Sequence, residues 1–124
     1  MLFGEHVSSE EFMVVEATIA GTGSIASYVR GLVRSLARLE RFFSRTKHNY
    51  TRFNYLGEWH SHPSFELFPS VIDDRTMFEI VNDPAVGAHF AVSIIVKLID
   101  AKLQARAFVY YPGTRREVGR IEFK

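Results

Sequence analysis

At 124 residues the chain can bury one core of its own and is too short for a second, so one functional site is the most to expect. Its 15 Lys and Arg against 14 Asp and Glu give a formal charge of +1, which excludes a global field that would recruit nucleic acid or an anionic membrane. Cysteine is absent, excluding a disulfide framework, a thiolate zinc site and a cysteine nucleophile, so a metal here must be held by His and carboxylate side chains.

The opening "MLFG" reads as the end of a strand, and "HVSSEE" as the hairpin connection after it. "FMVVEATIA", residues 12 to 20, is β-branched and apolar and stops at Gly21 and Gly23, a second strand closed by a turn. From Ser24 to about Arg45 the period changes, with Val29, Leu32, Val33, Leu36, Leu39 and Phe43 at helical spacings along one apolar stripe. Arg30, Arg34, Arg38, Arg41 and Arg45 run along another face, which reads as solvated surface, with an acidic partner as the other use of such a stripe.

"FNYLGEWHS" reads as a strand that ends at Pro63, because proline cannot donate to a ladder. After a loop, "SVIDDRTMFEIVND" places Ile72, Met77, Ile80 and Val81 near helical period and stops before Pro84. "HFAVSIIVKL", "LQARAFVYY" and "REVGRIEF" follow as three strands separated by "IDAK" and "PGT", turn residues that join antiparallel neighbours. The expected architecture is a single α/β domain with a mixed, partly antiparallel sheet and at least two helices. Acids fall within the first eleven residues and no apolar run approaches the ~18 residues of a membrane span, so a soluble, cytoplasmic protein is expected.

The chemistry concentrates in "GEWHSHPSFELFPSVIDD", residues 57 to 74. Side chains alternate along a strand, so His60 and His62 point to one face and their imidazoles can converge on one ion. Zinc takes neutral His nitrogens and carboxylate oxygens, and a catalytic site holds three protein ligands and leaves a fourth position open. The third ligand should come from outside the strand. Asp73 is placed for it, because the loop from Pro63 to Pro69 can return the first turn of the next helix to the strand end. Ser70 and Asp73 also have a structural reading, since S-x-x-D before an apolar run is a capping box. Both readings hold together, because a first-turn carboxylate is favoured by the helix dipole and still has an oxygen for a metal. His6, His48 and His89 lie away from this stretch and read as surface or packing residues.

"HSHPSFELFPSVID" resembles the JAMM signature, also called the MPN+ or JAB-domain motif: His-x-His, seven residues, then Ser-x-x-Asp. His60 and His62 match, residues 63 to 69 fill the gap, and Ser70 and Asp73 complete it; the flanking "YLGEWHSHP" and "PSVIDDRTM" are also similar to bacterial members. The resemblance implies a cytidine-deaminase-like α/β/α sandwich, zinc bound by His60, His62 and Asp73, and Ser70 as the catalytic residue that helps stabilise a tetrahedral oxyanion. It further implies hydrolysis of an amide, often an isopeptide at the C-terminal tail of a ubiquitin-like protein. The implied partner is thus a ubiquitin-like protein or peptide substrate, with neither nucleic acid nor membrane.

JAMM hydrolysis also needs a glutamate general base, just before a Gly-rich segment that ends in a Leu-x-Gly-like stretch. "MLFG" is similar to the end of that stretch, which places the glutamate a few residues before Met1. Glu5, Glu10 and Glu11 fall after the aligned Gly4, and Glu16 sits mid-strand among apolar residues. Glu58 shares a strand face with the two histidines, but its Cα is expected about 13 Å from that of His62, out of a base's reach. It reads as a hydrogen-bond partner of a liganding imidazole or as half of a surface salt bridge. Two expectations follow. Residues 1–124 are a single JAB/MPN-like domain, truncated at its N-terminus, of a zinc metallopeptidase; alternatively, the chain is a metal-binding, catalytically inactive interaction module. Deaminase chemistry, a third reading by fold analogy, lacks its P-C-x-x-C ligands here.

Overall fold

A computed structural model of the chain describes residues 1–8, 10–18, 37–62 and 66–123. The chain divides into two compact units, Met1–Gly57 and Glu58–Lys124. Strand β3 runs from the first into the second.

The first unit contains β1 (Leu2–Ser8), β2 (Glu11–Ala17), the described turns of helix α1 (residues 37–45) and the opening residues of β3 (Phe53–Ser61). Strand β1 lies between β2 and β3 and is antiparallel to both. The hairpin is tighter than "HVSSEE" suggests. His6 to Ser8 belong to β1, with Ser8 opposite Glu11 and the His6 ring stacked on its cross-strand partner Phe12 at 5.0 Å; such a cross-strand pair extends the ladder into residues that composition alone assigns to a turn. Gly4 sits at a register shift where any side chain would collide with Leu56 and with the Met13 carbonyl. Phe3 is fully buried, stacked on Phe42 at 5.5 Å, and Phe42 meets Phe53 edge-on at 6.2 Å.

In the described turns of helix α1, the expected stripe residues flank the most buried position. Phe42 is the buried residue, while Leu39 and Phe43 are half-buried; the neighbouring position is rotated by about 100°, so the pull of Phe3 and Phe53 on one ring decides which residue faces inward. Arg38, Arg41 and Arg45 are exposed, Arg45 pairing with Glu16 at 2.8 Å, as a solvated face requires. Val29, Arg30, Leu32, Val33, Arg34 and Leu36 lie outside the described residues.

The second unit holds the end of β3, helix α2 (Val71–Asn82), β4 (Ala91–Ile99), β5 (Lys102–Tyr110) and β6 (Arg116–Gly119). Its strand order is β3-β4-β5-β6, with β4 to β6 an antiparallel meander. The β3 to β4 connection passes through α2, the crossover that parallel neighbours require, so the α/β fold with a mixed sheet is as expected. Asp100 and Ala101 form a two-residue loop between the paired Ile99 and Lys102, both with positive φ (48° and 61°), which matches the twist of a tight hairpin. Strand β6 stops at Gly119, four residues short of the expected "REVGRIEF", because a glycine brings no side chain to pack.

The core of this unit lies under α2. Met77 and Val81, one turn apart, pack with Ala91 and Ile95 of β4 and Phe108 and Tyr110 of β5. Ala91, Ser93 and Ile95 alternate into that core as a half-buried strand should. Each large side chain so buried contributes about 1.5–3 kcal/mol. Ile72 departs from expectation. It is 72% exposed, because five residues along a helix place it about 140° from Met77 and off the buried stripe. Among the described residues no helix is long and apolar enough to cross a membrane.

Candidate metal centre

Strand β3 ends at Ser61, yet His62 stays in the ladder, because its N–H donates to the Val96 carbonyl of β4 at 2.9 Å. This bond holds both histidines at the strand end, with ring centroids 4.7 Å apart. The loop then delivers Ser70, whose extended backbone (φ −71°, ψ 169°) makes it the N-cap of α2. Ser70 Oγ accepts from the Asp73 N–H at 3.1 Å, and the Ser70 N–H donates to Asp73 Oδ2 at 2.8 Å. The capping box anticipated from S-x-x-D is present.

The same Asp73 Oδ2 faces the histidines. Nε2 of His60 and Nε2 of His62 each lie 3.3 Å from it. Ligand atoms of His60, His62 and Asp73 all fall within 4.8 Å of one another, and no glutamate joins that group among the described residues. Bond lengths of ~2.0–2.2 Å at tetrahedral angles separate two zinc ligands by about 3.3–3.4 Å. Both N···O distances match that separation.

Hydrogen bonding around the group fits a cation as well. His60 Nε2 is buried and has no hydrogen-bond partner among the described residues, although a carboxylate oxygen is 3.3 Å away, because the approach is poorly aligned for one. A buried imidazole nitrogen left so is costly unless something else takes its lone pair. His62 Nδ1 lies 3.3 Å from the Glu66 carbonyl oxygen, which can only accept; a proton on Nδ1 makes that contact a hydrogen bond and leaves the Nε2 lone pair facing Asp73. Burial pushes the Asp73 carboxyl up, but the Ser70 hydrogen bonds and then the two imidazoles outweigh it, holding the group below its ordinary range and ionised at neutral pH. Two nitrogens and one anionic oxygen are a donor set suited to zinc.

His6 stacks on Phe12, His48 packs on Tyr50 and His89 is exposed, so these three are packing and surface residues as expected. One neighbour of the site escaped the sequence reading. Asp74 turns away from Asp73, accepting from Tyr110 Oη at 2.6 Å and from an Arg116 guanidinium nitrogen at 2.7 and 2.6 Å. The guanidinium lies over the rings of Phe68 (4.7 Å) and Phe108 (5.5 Å). The paired aspartates in "VIDDR" were the available signal: adjacent helical residues diverge by about 100°, so two acids side by side serve two directions.

No curated protein matches the chain. The model for prokaryotic homologs of the JAB domain matches residues 3–111, a span that takes in all of β1 but its first residue, β2 to β5, and every residue of the His60, His62 and Asp73 group. The chain therefore belongs to the family of prokaryotic JAB-domain homologs.

Proposed function

We propose that the protein is a zinc metallopeptidase of the JAMM type, hydrolysing an amide bond at the C-terminal tail of a ubiquitin-like protein or conjugate. The observation that carries this reading is the approach of two imidazole nitrogens to one Asp73 oxygen at the spacing of zinc ligands. His60, His62 and Asp73 hold the metal. Zinc in that position supplies Lewis-acid polarisation of a carbonyl and makes water acidic enough to react near neutral pH. Ser70 caps the helix by accepting a hydrogen bond, which occupies a lone pair and leaves its O–H able to donate to a developing oxyanion. Val71 and Ile72, strongly exposed on the first turn of α2, offer apolar surface to an extended peptide.

A second reading, a metal-binding module without hydrolysis, is favoured by the lack of a glutamate beside the three ligands among the described residues. Metal analysis tests the part both share. Wild type is expected to hold one zinc per chain, and His60→Ala or Asp73→Ala to lose it; a wild type without stoichiometric zinc refutes both. Cleavage of a ubiquitin-like fusion by the zinc-loaded protein, or by any longer form its gene encodes, then supports the peptidase. Zinc binding with no cleavage in either form supports the module.

A further inference from the structure

The bonds that hold Asp73 are local. Ser70 and Asp73 satisfy each other within one turn, which fixes the carboxylate relative to α2 but does not fix that turn relative to the strands. Farther along, Met77 and Val81 anchor the helix to β4 and β5. Near the ligand itself the attachment is Asp74, whose carboxylate is gripped by Tyr110 at the end of β5 and by Arg116 at the start of β6. The guanidinium that grips Asp74 also lies on Phe68, two residues before Ser70, and Phe68 in turn meets Phe108 edge-on at 5.5 Å. Both flanks of the segment that presents Ser70 and Asp73 are thus fastened to one cation, which is itself only a quarter exposed (25%).

We propose that Arg116 and Tyr110, acting through Asp74, are positioning residues that set the metal affinity of the His60, His62 and Asp73 group. The inference rests on the metal-site reading above. Neither side chain is assigned contact with the metal or the substrate. Their role is to keep the first turn of α2 at the distance from which Asp73 reaches both imidazoles. Groups hydrogen-bonded directly to a ligand typically change metal affinity 10- to 100-fold when lost; Arg116 and Tyr110 hold the residue beside the ligand, so an effect at or below the lower end of that range is expected. The planar guanidinium also stacks on two rings, so lysine is an incomplete substitute.

The test measures zinc affinity of the whole chain by competition with a chromogenic chelator, together with the visible absorption of the cobalt-substituted protein. Arg116→Ala is expected to weaken zinc about 10-fold and to alter the cobalt spectrum, Arg116→Lys to recover part of the loss, and Tyr110→Phe to weaken binding by at least about threefold. Val81→Ala, a core variant farther along the same helix, is expected to lower the unfolding midpoint without moving zinc affinity by more than about twofold. If Arg116→Ala does not fold, Tyr110→Phe decides alone, since it removes a single oxygen. Wild-type binding with Arg116→Ala and Tyr110→Phe within twofold and spectrally unchanged overturns the proposal while the metal site stands. So does Val81→Ala weakening zinc as much as Arg116→Ala, which would mark general loosening. A wild type that binds neither zinc nor cobalt overturns the metal-site reading beneath it and the proposal with it.

Discussion

Ser70→Ala separates the structural work of Ser70 from its proposed chemistry. The side chain is exposed; its Oγ accepts the Asp73 N–H at 3.1 Å and its hydroxyl helps hold the Asp73 carboxyl low, while the reciprocal bond uses the Ser70 main chain and survives the substitution. The loss is chiefly the N-cap interaction, about 1 kcal/mol. For a chain of this length that lowers the melting temperature by roughly 3–6 °C. Ser70→Asn keeps a capping oxygen and is expected to stay within about 0.5 kcal/mol of wild type. Urea unfolding with a chelator present, followed by the fluorescence of Trp59, the only tryptophan and a neighbour of His60, measures both without a metal contribution. If the hydroxyl also serves hydrolysis, both variants lose turnover while only Ser70→Ala loses stability. Ser70→Ala as stable as wild type, or Ser70→Asn as weakened as Ser70→Ala, would refute the capping argument.

Two further outcomes follow from local geometry. Burial first, then the Asp74 hydrogen bond and charge, push the Tyr110 phenol well above its ordinary value against the opposing Arg116. A folded pKa above the unfolded value of ~10 means that the native state binds the proton more tightly. The contribution is complete below about pH 10 and is lost as pH rises toward the folded value. Stability of wild type measured from pH 8 to 11 should fall more steeply than that of Tyr110→Phe, and parallel curves would contradict the assignment. Ala101 carries φ 61° with a side chain attached, in a loop geometry that favours glycine. Ala101→Gly should raise the urea midpoint by the equivalent of roughly 0.5–1 kcal/mol, and a lowered midpoint would show that the loop is unstrained.

The legible parts of this chain were those decided within a few residues. Strand β3 matches "FNYLGEWHS" from first residue to last, and α2 starts at the cap that S-x-x-D announces. The geometry of the candidate metal group was legible for the same reason: strand alternation and the turn of a capped helix are local rules, and His60, His62, Ser70 and Asp73 fall where those rules place them. What failed was decided by distant partners. Phe42 rather than Phe43 turns inward because Phe3 and Phe53 wait on that side, and the hairpin shortens because Phe12 stacks on His6. Asp74 and Arg116 are 42 positions apart, and no short-range pattern links them.

A binding site built before its ligand arrives must hold like and unlike groups together without the ion that will bind them. Asp73 manages this through the backbone. Its Oδ2 takes the Ser70 N–H, a donor that remains when a cation approaches, so the carboxylate is oriented by the helix end rather than by the metal. An imidazole cannot be treated in the same way, since a partner on Nε2 would have to leave before a metal could bind. His60 keeps that nitrogen buried and bare among the described residues, and His62 turns its other nitrogen to the Glu66 carbonyl instead. Beyond the Asp73 carboxylate at 3.3 Å, His60 Nε2 has no hydrogen-bond partner among the described residues, so on the zinc reading a cation would satisfy a lone pair that the fold leaves unmet. His60→Phe fills the space but removes both the unmet lone pair and the imidazole beside Asp73, so on the zinc reading it should abolish zinc binding while changing apo stability by no more than about 1 kcal/mol; a larger loss of apo stability would mean that His60 Nε2 has a partner in solution and the site is less open than its geometry implies.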